Sequence, residues 1–265
     1  MSTSLSDQEI FRAASLLSSD RLAAFVKITG NERAAFELHQ QMMTVAAALM
    51  PVTGLIEIAL RNAICDRLGQ MFGVPNWLNS PPPPFAWRGE ESQSLTRAIQ
   101  QGQRAEYAKT SNAEKKALDL LAYPNGVPAN VSHEHRAKRR QQAIQIHTGQ
   151  QIAQLTIYFW KRLFSSDYEP TLWDRSLKRL FPNKKLSRAD VAVALEAIYQ
   201  ARNRIAHHEP LYGPRLQKAL AAIDFIAENF GEKVPSPDGI LAKMIAEPRQ
   251  VLQREADTLD AMLAA

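Results

Sequence analysis

The chain has 265 residues, of which 45% are hydrophobic and 22% charged, so it can bury a sizeable core as an ordinary globular protein does. Thirty-two Lys and Arg residues against 27 Asp and Glu leave a formal charge of +5, which mildly favours an acidic partner such as nucleic acid. The single cysteine, Cys65, excludes an intramolecular disulfide framework and agrees with a reducing compartment.

The sequence predicts neither export nor insertion in a membrane. The first residues carry an acid and no basic segment, so we expect no secretory signal. The longest uninterrupted apolar run, Val45 to Met50, is far shorter than a membrane span. We therefore predict a cytoplasmic protein without membrane association.

Helical periodicity dominates the chain, which is rich in Ala, Leu, Gln, Arg and Glu, and the alternation typical of strands is rare. The pattern predicts an all-α protein. Pro51 should break or kink the early helical run, because proline lacks a backbone donor. The predicted helices lie near residues 6–17, 19–28, 31–49, 52–72, 90–108, 112–122, 133–164, 171–180, 188–208, 214–230 and 238–263.

We predict that residues 1–265 form a single helical domain. The four consecutive prolines at 81–84 favour a stiff, extended loop and mark the best place for a sub-boundary between an N-terminal and a C-terminal part. Neither part has a linker-like composition of its own, which favours one contiguous protein over two domains.

The strongest functional signal is the segment Arg202-Asn203-Arg204-Ile205-Ala206-His207-His208. Arg202 falls on the apolar stripe predicted to face the core, so its charge needs a partner or a cleft. Asn203 and His207 are four residues apart and share a helix face, which suits the amide to orient the imidazole. The stripe consists of Val191, Leu195, Ile198 and Ile205.

Arg202 and His207 do not converge on an ideal helix, where their side chains differ by about 140°. Pro210 disfavours a helical Glu209, so we predict that the helix ends or distorts around His207. Two arrangements remain open. The distorted helix end turns the imidazole toward Arg202, or the two side chains meet across a dimer interface.

These residue types suit RNA cleavage, in which the 2′-hydroxyl attacks the neighbouring phosphate. Histidine titrates near neutral pH and can move the protons. Arginine keeps its charge and binds phosphate oxygens with its planar fork. The reaction requires no metal and no cofactor, and we predict none.

The spacing Arg-x4-His in Arg202–Leu211 resembles the motif of HEPN ribonucleases, and specifically of their Abi-like (abortive infection) branch. Residues 55–64 resemble that family's N-terminal helix. Residues 158–163, 172–173 and 180–182 resemble the segment that leads to the motif. The matches run in order from about Leu16 to Leu211.

The resemblance implies a HEPN-type helical bundle, here with additional N- and C-terminal helices. It implies a metal-independent endoribonuclease, usually a dimer, acting in phage defence or as a toxin. Arg202 and His207 would be catalytic, Asn203 their polar companion and His208 an extra residue, either structural or directly catalytic. The chain departs from the family at residues 38–42, which lack the aromatic pair that relatives often have.

Further residues are candidates for RNA binding or for support of the motif. One basic cluster contains Arg136, Arg139 and Arg140; the other contains Arg175, Lys178, Arg179, Lys184 and Lys185. The second is expected nearer the motif, and the alternative for both is a solvated surface. Glu57, Arg61 and Asn62 either line the cleft or form an ordinary helix surface. We predict no metal site.

We predict RNA, including tRNA or a small non-coding RNA, as the partner, together with a homodimer and an antitoxin or regulatory protein. The alternative function is a non-catalytic RNA- or protein-binding HEPN module in a defence or toxin–antitoxin complex. A third hypothesis is a helical assembly subunit whose histidines stabilise a dimer interface.

Overall fold

The computed structural model describes residues 5–264, except for the side chain of Ser19, and every regular element in that part of the chain is helical. The all-α prediction is therefore confirmed. The α-helices of the described chain are α1 (Asp7–Leu17), α2 (Ser19–Thr29), α3 (Glu32–Phe72), α4 (Gly89–Lys109), α5 (Asn112–Ala122), α6 (His133–Gln142), α7 (Thr148–Gln154), α8 (Ile157–Arg162), α9 (Arg188–Ala206), α10 (Pro214–Asn229) and α11 (Ile240–Ala264).

Helix α3 is longer than the sequence predicted, because Pro51 lies inside it without ending it. The proline ring is exposed, whereas its neighbours Leu49 and Val52 are completely buried. Packing of these flanking side chains outweighs the loss of one backbone hydrogen bond, which on its own destabilises a helix interior by about 3 kcal/mol. The predicted break at Pro51 is wrong.

The predicted helix over 133–164 is instead three short helices, α6, α7 and α8. The amide of Gln103 donates to the carbonyl oxygens of Gln142 (3.3 Å) and Ile144 (3.1 Å), which satisfies the backbone where α6 ends. His147 then caps α7 through its Nδ1, which accepts from the backbone N–H of Gln150. The predicted helix over 171–180 is a series of short helical turns between 166 and 180.

The chain divides into two compact units. Unit 1 contains the residues up to Ile64 and those from Phe164 onward, and unit 2 contains Cys65–Leu163. The four prolines at 81–84, where we predicted a sub-boundary, lie inside unit 2 rather than at its edge. Helix α3 contributes its last residues to unit 2 and the rest to unit 1.

The proline loop lies inside unit 2 because aromatic side chains on both sides of it pack together. The rings of Phe85 and Trp87 are 4.9 Å apart, and Phe85 also contacts Phe72 at 5.1 Å. The indole N–H of Trp87 donates to the carbonyl oxygen of Leu78 at 2.7 Å. A loop anchored by ring contacts at both ends belongs to one core and does not link two domains.

Unit 1 has the motif helix at its centre. Helices α9 and α10 pack against each other, and Leu195, Ile198 and Ile223 are completely buried. Aromatic pairs from the segment before α9, such as Phe164 with Phe181, extend the same core. The core therefore holds α9 rigidly and fixes where the motif at its end lies.

Helix α3 is long and apolar enough to cross a membrane, judged by length and composition alone. The longest unbroken apolar run did not reveal this, since Thr44 and Pro51 bound that run. Side chains such as Val45, Ile56 and Leu60 of α3 are buried, and 39% of its apolar window is buried in all. Core helices of globular proteins pass the same test of length and composition. The cytoplasmic location stays a prediction.

Candidate active site at the end of α9

Helix α9 begins with a capping box. The hydroxyl of Ser187 accepts from the backbone N–H of Asp190 at 3.2 Å, and the carboxylate of Asp190 accepts from the backbone N–H of Ser187 at 2.8 Å. The hydrogen bonds from Ser187 hold the pKa of Asp190 below its ordinary value. The buried stripe predicted from the sequence is confirmed, and the capping box satisfies the backbone donors at the start of the helix.

Helix α9 ends in a Schellman motif at the two histidines. The N–H of Glu209 donates to the carbonyl oxygen of Arg204 at 2.7 Å, and that of His208 donates to Ile205 at 3.1 Å. His208 adopts a left-handed conformation with φ 53°, a position that glycine usually occupies. The helix end predicted around His207 is confirmed, and His208 has a conformational role in it.

Two arginine side chains form hydrogen bonds to the backbone of this turn. The Nε of Arg204 donates to the carbonyl oxygen of Pro210 at 2.9 Å, and its Nη1 lies 3.1 Å from the carboxylate of Glu209. The Nη1 of Arg21, on α2, donates to the carbonyl oxygen of His208 at 2.8 Å. The backbone from His208 to Pro210 is thus fixed by groups from two helices of unit 1.

The helix end does not bring Arg202 and His207 together within one chain. The N–H of His207 keeps its helical hydrogen bond to the carbonyl oxygen of Asn203 (3.1 Å), so His207 retains its helical position. On an ideal helix, side chains at these two positions point about 140° apart. Among the described residues, neither side chain hydrogen-bonds to the other, and the side chain of Asn203 does not bond to His207. A meeting across a dimer interface, the other arrangement, stays a prediction.

Arg202 is half-buried on the stripe that faces the core, whereas His207 and His208 are exposed. Within residues 5–264 the guanidinium of Arg202 has no hydrogen bond and no ion pair. A partly desolvated cation gains free energy from an anionic partner. The geometry suits Arg202 to bind a negatively charged group that approaches from outside the chain.

The residues of α3 that we predicted to support the motif differ in their surroundings. Asn62 is exposed, while Glu57 and Arg61 are half-buried. The Nε of Arg61 is buried and lacks a hydrogen-bond partner in the described part of the chain. Arg61 is therefore a second incompletely satisfied cation in unit 1, and Asn62 forms part of the helix surface.

The first basic cluster is largely occupied by an internal ion pair in unit 2. The Nε atoms of Arg136 and Arg140 lie 3.0 Å and 2.7 Å from one carboxylate oxygen of Asp119. Hydrogen bonds from Arg140 and then from Arg136 hold the pKa of Asp119 well below its ordinary value. Arg139 is exposed and lies near the ring of Tyr123, so it alone in this trio faces solvent without an acid partner among the described residues.

The second basic cluster lies at the opposite end of α9 from the motif. All five of its side chains are exposed. Lys184 and Lys185 lie just before the first turn of α9. The 19 residues of the helix separate that end from His207 by roughly 27 Å. Within one chain, Lys184 and Lys185 therefore lie far from the motif, contrary to our expectation, because the length of α9 intervenes.

Two residues at the motif were missed by the sequence analysis. Arg21 is 187 residues away from His208 along the chain, and no local signal links them. Arg204 stands inside the motif, and the acid at 209 beside Pro210 could have indicated that it closes a turn. Within residues 5–264 no group of three or more His, Cys, Asp or Glu side chains is placed to hold a metal ion.

No protein-family model, curated protein or solved structure matches this chain.

Proposed function

We propose that this chain is a metal-independent endoribonuclease of the HEPN type that acts through Arg202 and His207. One observation carries the proposal: Arg202 is a half-buried cation on the motif helix whose guanidinium has no partner in residues 5–264, and an exposed histidine, His207, lies five residues further on at the helix end. RNA phosphate supplies the missing negative charge. The sequence resemblance to Abi-like proteins supports the same reaction.

The chemistry divides between the two side chains. His207 takes the proton from the 2′-hydroxyl as its oxygen forms a bond to phosphorus, and an imidazolium returns a proton to the 5′-oxygen as the phosphorus–oxygen bond breaks. Arg202 stabilises the negative charge that accumulates on the phosphoryl oxygens. The products are a 2′,3′-cyclic phosphate and a 5′-hydroxyl, and water enters only later.

The site is complete when two copies of the chain meet. Because Arg202 and His207 point about 140° apart on an ideal helix, we expect one phosphate to contact both only when two protomers meet. In a symmetric dimer the His207 face of one protomer meets the Arg202 face of its partner, and each contributes one group. The rigid turn held by Arg21 and Arg204 keeps the imidazole in place for this approach.

The test is incubation of purified wild type, Arg202→Ala and His207→Ala protein with total RNA and with tRNA in EDTA. Arg254→Ala is the matched control, since Arg254 is exposed on α11 and its side chain has no hydrogen-bond or ion-pair partner among the described residues. Wild type and control should cut, and the two motif variants should lose at least about 100-fold in rate. Mixing the two inactive variants should restore part of the activity if the site is shared between protomers.

Substrates with a 2′-deoxy group at the cleaved nucleotide should resist cutting, because the attacking hydroxyl is missing. Cleavage of an all-DNA strand, or equal cutting by all four proteins, would exclude this mechanism. The phage-defence or toxin role, the cytoplasmic location and a neutralising antitoxin belong to the same proposal and rest on the sequence resemblance.

The second candidate function is a non-catalytic RNA-binding module. The separation of Arg202 from His207 on α9 favours it, because a binding surface needs no convergence of the two groups. It predicts that wild type retains RNA at low salt, loses it steeply as salt rises and never cuts it. The incubation in EDTA separates the two functions directly.

A further inference from the structure

A small cationic pocket of about 260 Å³ lies between α9 and α10 in unit 1. Its floor is apolar and is formed by Ala197, Ala201 and Leu211, which are 8%, 3% and 3% exposed. Three cations line its wall: Arg204, Arg215 and Lys218. The volume is below the roughly 300–1,000 Å³ of pockets for drug-sized ligands, so the pocket admits one small group.

The charges of this pocket are unbalanced. Its acid, Glu196, accepts a hydrogen bond from Gln200 at 2.6 Å, and the acid that pairs with Arg204 is Glu209, outside the pocket. Arg215 and Lys218 are exposed, and neither forms an ion pair with another residue of the described chain. They are three apart on α10, so the two like charges are neighbours on the helix surface and repel each other. An anion in the pocket would remove that repulsion.

The pocket lies on the His207 side of α9. Around the helix axis His207 is about 20° from Gln200 and about 60° from Arg204, whereas it is about 140° from Arg202. Along the axis His207 is about 4.5 Å beyond Arg204. Of the cations on α9, Arg204 in the pocket wall is therefore the nearest to His207 around the helix.

We propose that this pocket binds a nucleotide of single-stranded RNA next to the one that is cleaved, with Arg215 and Lys218 on its phosphate and the apolar floor against its sugar or base. The inference rests on the proposed function in that it takes RNA as the ligand. Arg204 connects the two sites, because the same side chain that forms the pocket wall also closes the turn that carries His207. RNA seated in the pocket thereby passes along the His207 face.

The experiment measures binding separately from cleavage. A labelled 12-nucleotide single-stranded RNA, methylated at every 2′-hydroxyl so that it cannot be cut, is titrated with full-length protein in EDTA and followed by fluorescence anisotropy. The variants are Arg215→Gln, Lys218→Gln and the pair together. Arg254→Gln with Lys233→Gln is the matched control, since both residues are exposed in unit 1 and the change of charge is the same.

The double variant should bind roughly tenfold more weakly than wild type, and its affinity should depend less on salt, by about 1.4 in the logarithmic slope. The control should bind as wild type does. Equal affinity and equal slope for the double variant and the control would overturn the proposal, as would absence of RNA binding by wild type. Loss of AMP or inorganic phosphate binding without any loss of RNA binding would also overturn it, because the pocket would then serve a free ligand.

Failure of this inference is distinguishable from failure of the nuclease. If wild type never cuts RNA but its RNA binding depends on Arg215 and Lys218, the proposal for the pocket stands and the proposed nuclease activity fails. If wild type cuts RNA through His207 while the pocket variants bind RNA normally, the proposed nuclease activity stands and the proposal for the pocket fails.

Discussion

The guanidinium of Arg21, near the start of α2, donates a hydrogen bond to the backbone carbonyl oxygen of His208 at 2.8 Å. His208 is the left-handed residue that closes α9, so this bond joins an early helix to the turn beside His207. The contact fixes the backbone of the motif and leaves the imidazole side chains in solvent.

We predict that Arg21→Ala weakens the motif turn without unfolding the protein. Loss of one exposed hydrogen bond to a carbonyl oxygen should lower the free energy of unfolding by about 0.5–1 kcal/mol. RNA cleavage should fall several-fold, because the turn that carries His207 becomes mobile. Urea denaturation and initial rates check this, with Arg12→Ala on the exposed face of α1 as the matched control. Equal rates for the two variants would contradict the positioning role of Arg21.

We predict that His208→Gly raises stability. The left-handed conformation costs a residue with a Cβ atom roughly 1 kcal/mol of conformational free energy, and glycine is free of this cost. The free energy of unfolding should therefore rise by up to about 1 kcal/mol, measured by urea denaturation. If RNA cleavage is unchanged in the same variant, His208 serves the helix end alone. A loss of cutting comparable to that of His207→Ala would instead assign the imidazole a catalytic role.

The buried imidazole of His39 should make stability depend on pH. Burial, and then the charge of Arg21, lower the pKa of His39 below its ordinary value. The unfolded chain then binds more protons, so stability is complete above about pH 6.5 and declines as pH falls through that value toward the folded pKa. His39→Leu should flatten the change in unfolding free energy between about pH 7.5 and 5.5. Parallel curves for the two proteins would show that His39 is not the group responsible.

The ion pair of Asp119 with Arg136 and Arg140 should stabilise unit 2 at neutral pH. Since the pKa of Asp119 is lowered by these arginines, the contribution is present above about pH 4 and is lost as pH falls further toward the folded pKa. Asp119→Asn should lower the unfolding temperature by several degrees at pH 7, and the difference from wild type should narrow below pH 4. Asp66→Asn, an exposed acid of the same unit, is the control and should change little.

If Arg136 and Arg140 serve this ion pair, they contribute little to RNA affinity. The test compares the affinity of Asp119→Asn for the methylated RNA with that of wild type. This substitution frees both guanidinium groups. An unchanged or higher affinity agrees with a structural role for the pair in the wild-type protein. A sharp fall in affinity would instead indicate that the ordered arginines themselves form the RNA surface.

Some features of the candidate site were predictable because they are local. The capping box at Ser187, the buried stripe through Ile198 and the helix end before Pro210 depend on residues within a few positions of one another. The break expected at Pro51 was wrong for the opposite reason, since tertiary packing at Leu49 and Val52 overrides the local preference.

By itself, the sequence determined that this protein is helical, that α9 carries a half-buried arginine and that two histidines end that helix, because periodicity and capping act over short spans of chain. Only the tertiary structure decided which charges are already neutralised. It joins Arg21 to His208, pairs Arg136 and Arg140 with Asp119, and leaves Arg215 and Lys218 without an ion pair among the described residues. Ion pairs form between groups that the fold brings within a few ångströms, and separation along the chain does not encode that distance.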